Sequence, residues 1–269
     1  MKIDNSRANK FRTCPPLYFE SYVRNGGLEP KRVETEGYSP IELGARGHEL
    51  LEEWYKGTSL YPPSPNDALE REAQWIVQLY KVKYPKEEFQ IMDIERVFEI
   101  PLPNSTHIYT GKIDLVGFNA KEDFTNFIID HKFQSRAAKT NHPMKWAARD
   151  QASLYLWAAE QIYGVKPSNF FVNILVRPSE KGLVPPTFPE RQKLERTQEQ
   201  IDTAVRDITF IADQIEAMED RWPKGDWPSN REECYTWGPC DFYQPHTYGW
   251  SNEILENKFQ KRKEYLKAL

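Results

Sequence analysis

The apolar positions change period several times along the chain, and each change predicts a different kind of element. Ser39-Pro40-Ile41-Glu42 reads as a helix start: Ser39 caps, Pro40 suits the first turn, and Glu42 completes a capping box. A helix over about 40 to 56 follows, apolar at Ile41, Leu43, Leu50, Leu51 and Trp54 and interrupted by Gly44 and Gly47. Glycine weakens a helix interior, so its presence predicts close packing against other backbone. A second helical pattern begins at Asn66 and stops at Pro85. From Phe89 to Phe133 the period becomes extended, and FEIPLP, HIYTGKIDLVGF and TNFIIDHKF predict three consecutive strands, most simply an antiparallel meander. Next come a helix from roughly Met144 to Tyr163 and a strand from Phe170 to Val176, apolar enough to be buried on both faces. Thr197 to Gln200 forms another capping box, and Ile201, Val205, Ile208, Ile211, Ile215 and Met218 mark one face of a long helix. The stretch from Trp222 to Trp250, rich in Pro, Gly and aromatics, reads as irregular.

This order predicts an α/β fold, a mixed sheet flanked by helices, in one domain over 1–269. A helical N-terminal insertion is expected at about 40–88, the core at 89–178, and a C-terminal helix with an irregular cap at 190–269. No run approaches the roughly eighteen apolar residues of a membrane span, so no membrane partner is expected. The opening MKIDNSRANKFRTCPPLYF mixes charge and proline and lacks the apolar core of a secretory signal, which predicts a cytoplasmic protein. A net charge of −4 excludes a uniformly basic coat but not a local positive surface. Between Lys132 and Arg149 there is no acidic residue, while Arg136, Lys139 and Lys145 lie there with His142 and Trp146 interleaved. Such a run is either a solvated charged face or a track for phosphates.

The candidate chemistry sits on two adjacent predicted strands. Gly111-Lys112-Ile113-Asp114 lies in one, and Asp130-His131-Lys132 ends the next after the apolar Phe127-Ile128-Ile129. A period of two puts Asp130 and Lys132 on one face, where the strand leaves the core. Two converging carboxylates repel unless a cation lies between them, and a hard divalent ion is the natural occupant. Such an ion activates water and binds a phosphoryl oxygen, while an ammonium offsets transition-state charge, which together suit phosphodiester hydrolysis. Taken alone, a D-x-K triplet equally fits turn caps and a surface ion pair.

Four motifs in order settle the weight. Gly44 to His48 is G-x-x-x-H, Gly111 to Asp114 is G-x-x-D, Asp130 to Lys132 is D-x-K, and Gln151 to Tyr155 is Q-x-x-x-Y. In these, and in Phe11-Arg12-Thr13-Cys14-Pro15 with Tyr18, the chain resembles the RecB-like branch of the PD-(D/E)XK nuclease superfamily, close in pattern to CRISPR-associated and phage exonucleases. The resemblance implies a restriction-endonuclease-like core in which His48, Asp114, Asp130 and the His131 carbonyl bind Mg²⁺ or Mn²⁺ and Lys132 is the catalytic lysine. It further implies that Gln151 and Tyr155, one helical turn apart, support the site or touch the substrate backbone. An imidazole beside carboxylates softens the site, so activity with Mn²⁺ is expected to be at least equal to that with Mg²⁺.

Many such relatives staple their chain ends with an iron–sulfur cluster held by one N-terminal and three C-terminal cysteines. Here Cys14, Cys234 and Cys240 are present, and His246 stands where the last ligand is expected. A cluster with a histidine ligand, a Cys₃His zinc site, and a vestigial site held by packing all fit these residues. The implied activity is DNA hydrolysis, exonucleolytic, on single strands or ends, in repair, recombination or phage DNA processing. Arg136, Lys139, Lys145 and Arg149 would track phosphates and Trp146 would stack on bases. The rivals are a DNA-binding scaffold that has lost chemistry and a structure-specific endonuclease.

Overall fold

A computed structural model describes residues 1–31, 38–58, 66–85, 87, 89–119, 125–135, 146–167, 169–179, 183–236 and 238–262. In chain order it contains β1 (Lys2–Ile3), α1 (Asn5–Thr13), α2 (Pro15–Tyr22), β2 (Leu28–Pro30), α3 (Pro40–Tyr55), α4 (Ala68–Lys83) and β3 (Gln90–Pro101). There follow β4 (Ile108–Asn119), β5 (Thr125–Gln134), α5 (Asp150–Tyr163), β6 (Asn169–Val176), β7 (Gln192–Leu194), α6 (Gln198–Arg221), α7 (Tyr243–Tyr248), α8 (Asn252–Lys258) and β8 (Phe259–Lys261). These elements form two compact units, one of residues 36–98 and 112–204, the other of 1–35, 99–111 and 205–269.

In the unit of residues 36–98 and 112–204, β4 and β5 are antiparallel from Leu115↔Ile129 to Asn119↔Thr125. β5 and β6 are parallel from Phe127↔Asn169 to Gln134↔Val176, and β7 adds antiparallel to β6. β3 pairs with β4, so the sheet is mixed, as the sequence predicts. Side chains alternate along β5 and β6, and the two faces carry different work. One face holds His131, Phe133, Asn173 and Leu175, and α3 and α4 cover it through Leu43, Leu50, Leu51, Ala73, Ile76, Val77 and Tyr80. The opposite face holds Asp130, Lys132 and Phe170, where α5 brings Gln151 and Tyr155.

Local signals fix the helices that carry the site. Ser39 accepts from the Glu42 N–H while Glu42 accepts from the Ser39 N–H, the reciprocal box expected at the start of α3. Thr197 and Gln200 do the same for α6. Gly47 is the close approach that the sequence predicts: a Cβ there would meet the Phe133 ring of β5 at 2.1 Å, whereas at Gly44 nothing lies within 4 Å.

Three expectations are corrected. The helix foreseen from roughly Met144, a residue outside the described ones, is interrupted: Trp146 and Ala147 are helical, but the backbone at Arg149 is extended (φ −92, ψ 138) and α5 starts anew at Asp150. The first strand of the meander is longer than FEIPLP and reaches back to Gln90. Within the stretch read as irregular, Arg231–Cys234 forms a 3₁₀ turn and Tyr243–Tyr248 a short helix.

The other unit pairs β1 parallel to the start of β4 (Lys2↔Ile108, Ile3↔Tyr109) and β2 antiparallel to β8 (Leu28↔Lys261 to Pro30↔Phe259). The second pairing joins residues near the two ends of the sequence around Phe242, Phe259 and Leu28. No helix among the described residues is long and apolar enough to cross a membrane.

Candidate metal centre

His48, Glu95 and Asp114 offer ligand atoms that all lie within 4.8 Å of one another, the single such group of His, Cys, Asp or Glu donors among the described residues. Each comes from a different element. α3 presents His48 one residue after the glycine that lets the helix sit on Phe133. β4 presents Asp114 just beyond its ladder with β5, and there Asp114 Oδ2 accepts the His131 N–H at 2.7 Å. That side-chain bond satisfies a buried backbone donor and ties the carboxylate to β5.

Glu95 arrives by a strained route. It sits within β3 at φ +51, a left-handed conformation uncommon outside glycine, which costs about 1 kcal/mol or more. On its N-terminal side Gln90 and Met92 are exposed; on its C-terminal side Phe98 and Ile100, of the same parity, are buried. The strand therefore changes phase across Glu95, as a bulge does, and turns this carboxylate toward His48 Nδ1 at 3.3 Å and into an ion pair with Lys112. Sequence reading missed Glu95; its one trace is the slipped alternation between Ile91 and Phe98.

Asp130 and Lys132 lie side by side, Lys132 Nζ 2.6 Å from Asp130 Oδ2, and Gln151 Nε2 donates to Asp130 Oδ1 at 3.2 Å. Burial pushes the Asp114 carboxyl up to about 6, with Asp130 and Glu95 adding to the effect and His48 and Lys132 opposing it. Burial also opposes charge on His48, yet Asp114 and Glu95 outweigh it and raise its pKa. At His131 burial comes first and neighbouring cations act with it, holding its pKa well below the ordinary range, so the ring is neutral. A buried cluster of carboxylates and imidazole that crowds negative charge in this way offers donor atoms of the kind a divalent cation takes.

The remaining site residues fall into three groups. Tyr155 is buried and packs edge-on to Phe98 and against Phe170. Trp146 is 6% exposed, with Lys132 Nζ 5.7 Å and the Arg149 guanidinium 4.8 Å from its ring centre, so it holds two cations rather than offering a face for bases. Arg149 is exposed, while Arg136, Lys139 and Lys145 lie outside the described residues.

The three cysteines lie near one another without forming a group of metal-ligand spacing among the described residues. Cys14 is the N-cap of α2 and buried, and the Cys240 N–H donates to the Cys234 carbonyl at 2.8 Å. Burial, with Asp241, Cys234 and Cys14 nearby, raises the Cys240 thiol. His246 lies 3.2 Å from Glu20 Oε1. The fourth expected ligand is thus engaged by a carboxylate, and no group of metal-ligand spacing includes a thiol among the described residues.

The sequence profile of the PD-(D/E)XK nuclease superfamily matches residues 5–242. Among curated proteins none matches the chain. Among solved structures, a "Putative exonuclease" from Eubacterium rectale is similar at 15% identity and a TM-score of 0.54, covering 93% of this chain and 90% of that one. SSO0001 aligns at 15% identity and TM-score 0.33 over 70% of this chain and 80% of its own. LHK-Exo in complex with dAMP aligns at 12% identity and TM-score 0.27 over 71% of this chain and 99% of its own.

Proposed function

Because the chain belongs to the PD-(D/E)XK nuclease superfamily, we propose that it is a divalent-metal-dependent deoxyribonuclease acting from the ends of DNA, with a preference for single strands. The observation that carries this reading is the meeting of His48, Glu95 and Asp114 beside the Asp130–Lys132 pair. The ligands are His48, Glu95 and Asp114, with Asp130 and the His131 carbonyl completing the set. A bound Mg²⁺ or Mn²⁺ supplies Lewis acidity at a phosphoryl oxygen.

The chain's own groups do the rest. Lys132, held by Asp130 at 2.6 Å, keeps its ammonium where charge accumulates on phosphorus-bound oxygens and orients the attacking water. Gln151 fixes Asp130 from α5, and Trp146 fixes Lys132 and Arg149 through its ring. The exposed Arg149 continues the cationic track from the site for the strand's phosphates. Four motifs in order support the RecB-like branch, and three free thiols suit the reducing cytoplasm.

End-labelled linear DNA and covalently closed circles incubated with Mn²⁺ test the reading, with wild type beside Lys132→Ala. Expected is loss of linear DNA, survival of circles, and no cleavage by the variant. Cut circles would identify an endonuclease, and DNA binding with no cleavage by wild type would identify a scaffold.

A further inference from the structure

Beside the candidate metal centre, in the apolar layer under α3 and α4, runs a hydrogen-bonded chain of polar groups that the proposed chemistry does not use. Glu87 accepts from Arg191 at 2.9 and 2.5 Å and from the Tyr55 hydroxyl at 2.9 Å. The Tyr55 and Tyr80 hydroxyls lie 3.1 Å apart, and Arg191 donates to Tyr80 at 2.7 Å. Asn173 Nδ2 lies 2.8 Å from the Tyr80 hydroxyl and 2.8 Å from His131 Nδ1. Tyr80 and Asn173 are fully buried and His131 nearly so.

The direction of every bond follows from one end. A carboxylate only accepts, so Tyr55 donates to Glu87, and its oxygen must then accept from Tyr80. With its proton spent on Tyr55, the Tyr80 oxygen accepts from Arg191 and Asn173. The Asn173 amide nitrogen therefore faces Tyr80, and its second N–H points at His131 Nδ1. Nδ1 is thus the acceptor and the ring proton sits on Nε2. A charge at Glu87 is read out as the tautomer of a histidine in the metal-site strand.

His131 is clamped as well as bonded. Its ring stacks on Tyr55 at 5.9 Å and meets Tyr80 edge-on at 6.0 Å. A side chain held on three sides fixes its own peptide, and that peptide donates to Asp114 and lies between Asp130 and Lys132. Packing alone does not call for this arrangement. Val172 and Ile174 flank Asn173 in β6, and an apolar residue at 173 would avoid leaving Asn173 Oδ1 buried without a partner.

We propose that Asn173, Tyr80 and the Arg191–Glu87 pair are positioning residues for the metal centre, setting Asp114 through the His131 peptide. Groups behind metal ligands characteristically change metal affinity by about 10- to 100-fold when removed. The inference rests on the metal-centre reading above, and one experiment separates the two. Mn²⁺ binding is measured by electron paramagnetic resonance on the full chain for wild type, Asn173→Leu and Tyr80→Phe, well below each melting temperature. Nitrogen-15 spectra report the His131 tautomer in the same samples.

Expected is a Kd raised about tenfold or more in both variants, with the histidine losing its Nε2–H preference in Asn173→Leu. Should Asn173→Leu fail to fold, Tyr80→Phe, which removes one oxygen, decides alone. Wild-type affinity in the folded variants overturns the positioning role. A wild type that binds no Mn²⁺ overturns the metal-centre reading, and the inference falls with it.

Discussion

Replacing Gly47 by alanine sets helix propensity against packing at the base of the metal centre, and the two have opposite signs. A Cβ at this position would stand 2.1 Å from Phe133 Cζ, 2.4 Å from Cε1 and 2.7 Å from Cε2. Carbon atoms rest at about 3.5–4.0 Å, so roughly 1.4 Å must be found by swinging the ring away or lifting α3. The ring has little room, since it packs against the apolar layer under α3 and α4 and lies 5.7 Å from the His48 ring. Overpacking costs about 1–3 kcal/mol and the contact is severe, while removing a helix-interior glycine returns about 1 kcal/mol. The net expectation is destabilisation by about 1–2 kcal/mol.

Gly44→Ala provides the control on the same helix. Nothing lies within 4 Å of its Cβ, so it should keep the whole propensity gain of about 1 kcal/mol. Urea titrations followed by circular dichroism measure both, and an unchanged m-value licenses the comparison. Because His48 follows Gly47 directly, Gly47→Ala should also weaken Mn²⁺ binding, whereas Gly44→Ala should not. Phe133→Ala removes the obstructing ring, so in that background Gly47→Ala should become neutral or stabilising. A Gly47→Ala protein as stable as Gly44→Ala would refute the reasoning.

Three further outcomes follow from the same geometry. Glu95→Gln keeps the shape of the bulge but removes a ligand charge, so Mn²⁺ affinity should fall at least tenfold by calorimetry while the unfolding free energy from urea titration holds within about 0.5 kcal/mol. Burial, with Arg262 adding, lowers the pKa of Lys10 from 10.5 to about 8. The folded chain then holds a costly charge below about pH 8, and the cost vanishes as pH rises toward 10.5, where the unfolded lysine also loses its proton. Lys10→Met should therefore be more stable than wild type by about 1–2 kcal/mol at neutral pH, the gap closing between pH 8 and 10.5 in urea melts. Cys14→Ser should leave iron and zinc content unchanged in elemental analysis, since His246 faces Glu20 and the thiols share no ligand-spaced group among the described residues.

What the sequence disclosed was written in local chemistry. The caps at Ser39 and Thr197 are contacts three residues long, so the residues announce them. Strand β5 passes from Phe127-Ile128-Ile129 into Asp130-His131-Lys132, a polarity change within one strand that marks where the sheet leaves its core. Gly47 beside His48 signalled a close approach, and Gly44 gave the same signal without one, because propensity carries no information on what lies opposite.

The rest depends on partners far apart in sequence. Glu95 enters through a positive φ in a strand whose apolar residues no longer alternate, and only the tertiary fold shows which way it turns. Asn173, Tyr80 and Arg191 are unremarkable where they stand and acquire meaning from one another. Strands β2 and β8, three residues each, pair across most of the chain's length and leave no periodic trace. Helix α2 opens on Pro15-Pro16 with Cys14 as N-cap, since proline suits the first helical turn.

The central claim is that His48, Glu95 and Asp114 hold one divalent cation beside Lys132. Anomalous diffraction from crystals equilibrated with Mn²⁺ tests it directly: the account predicts a single strong peak enclosed by those three side chains. A peak at any other place, or none there at saturating Mn²⁺, would contradict it.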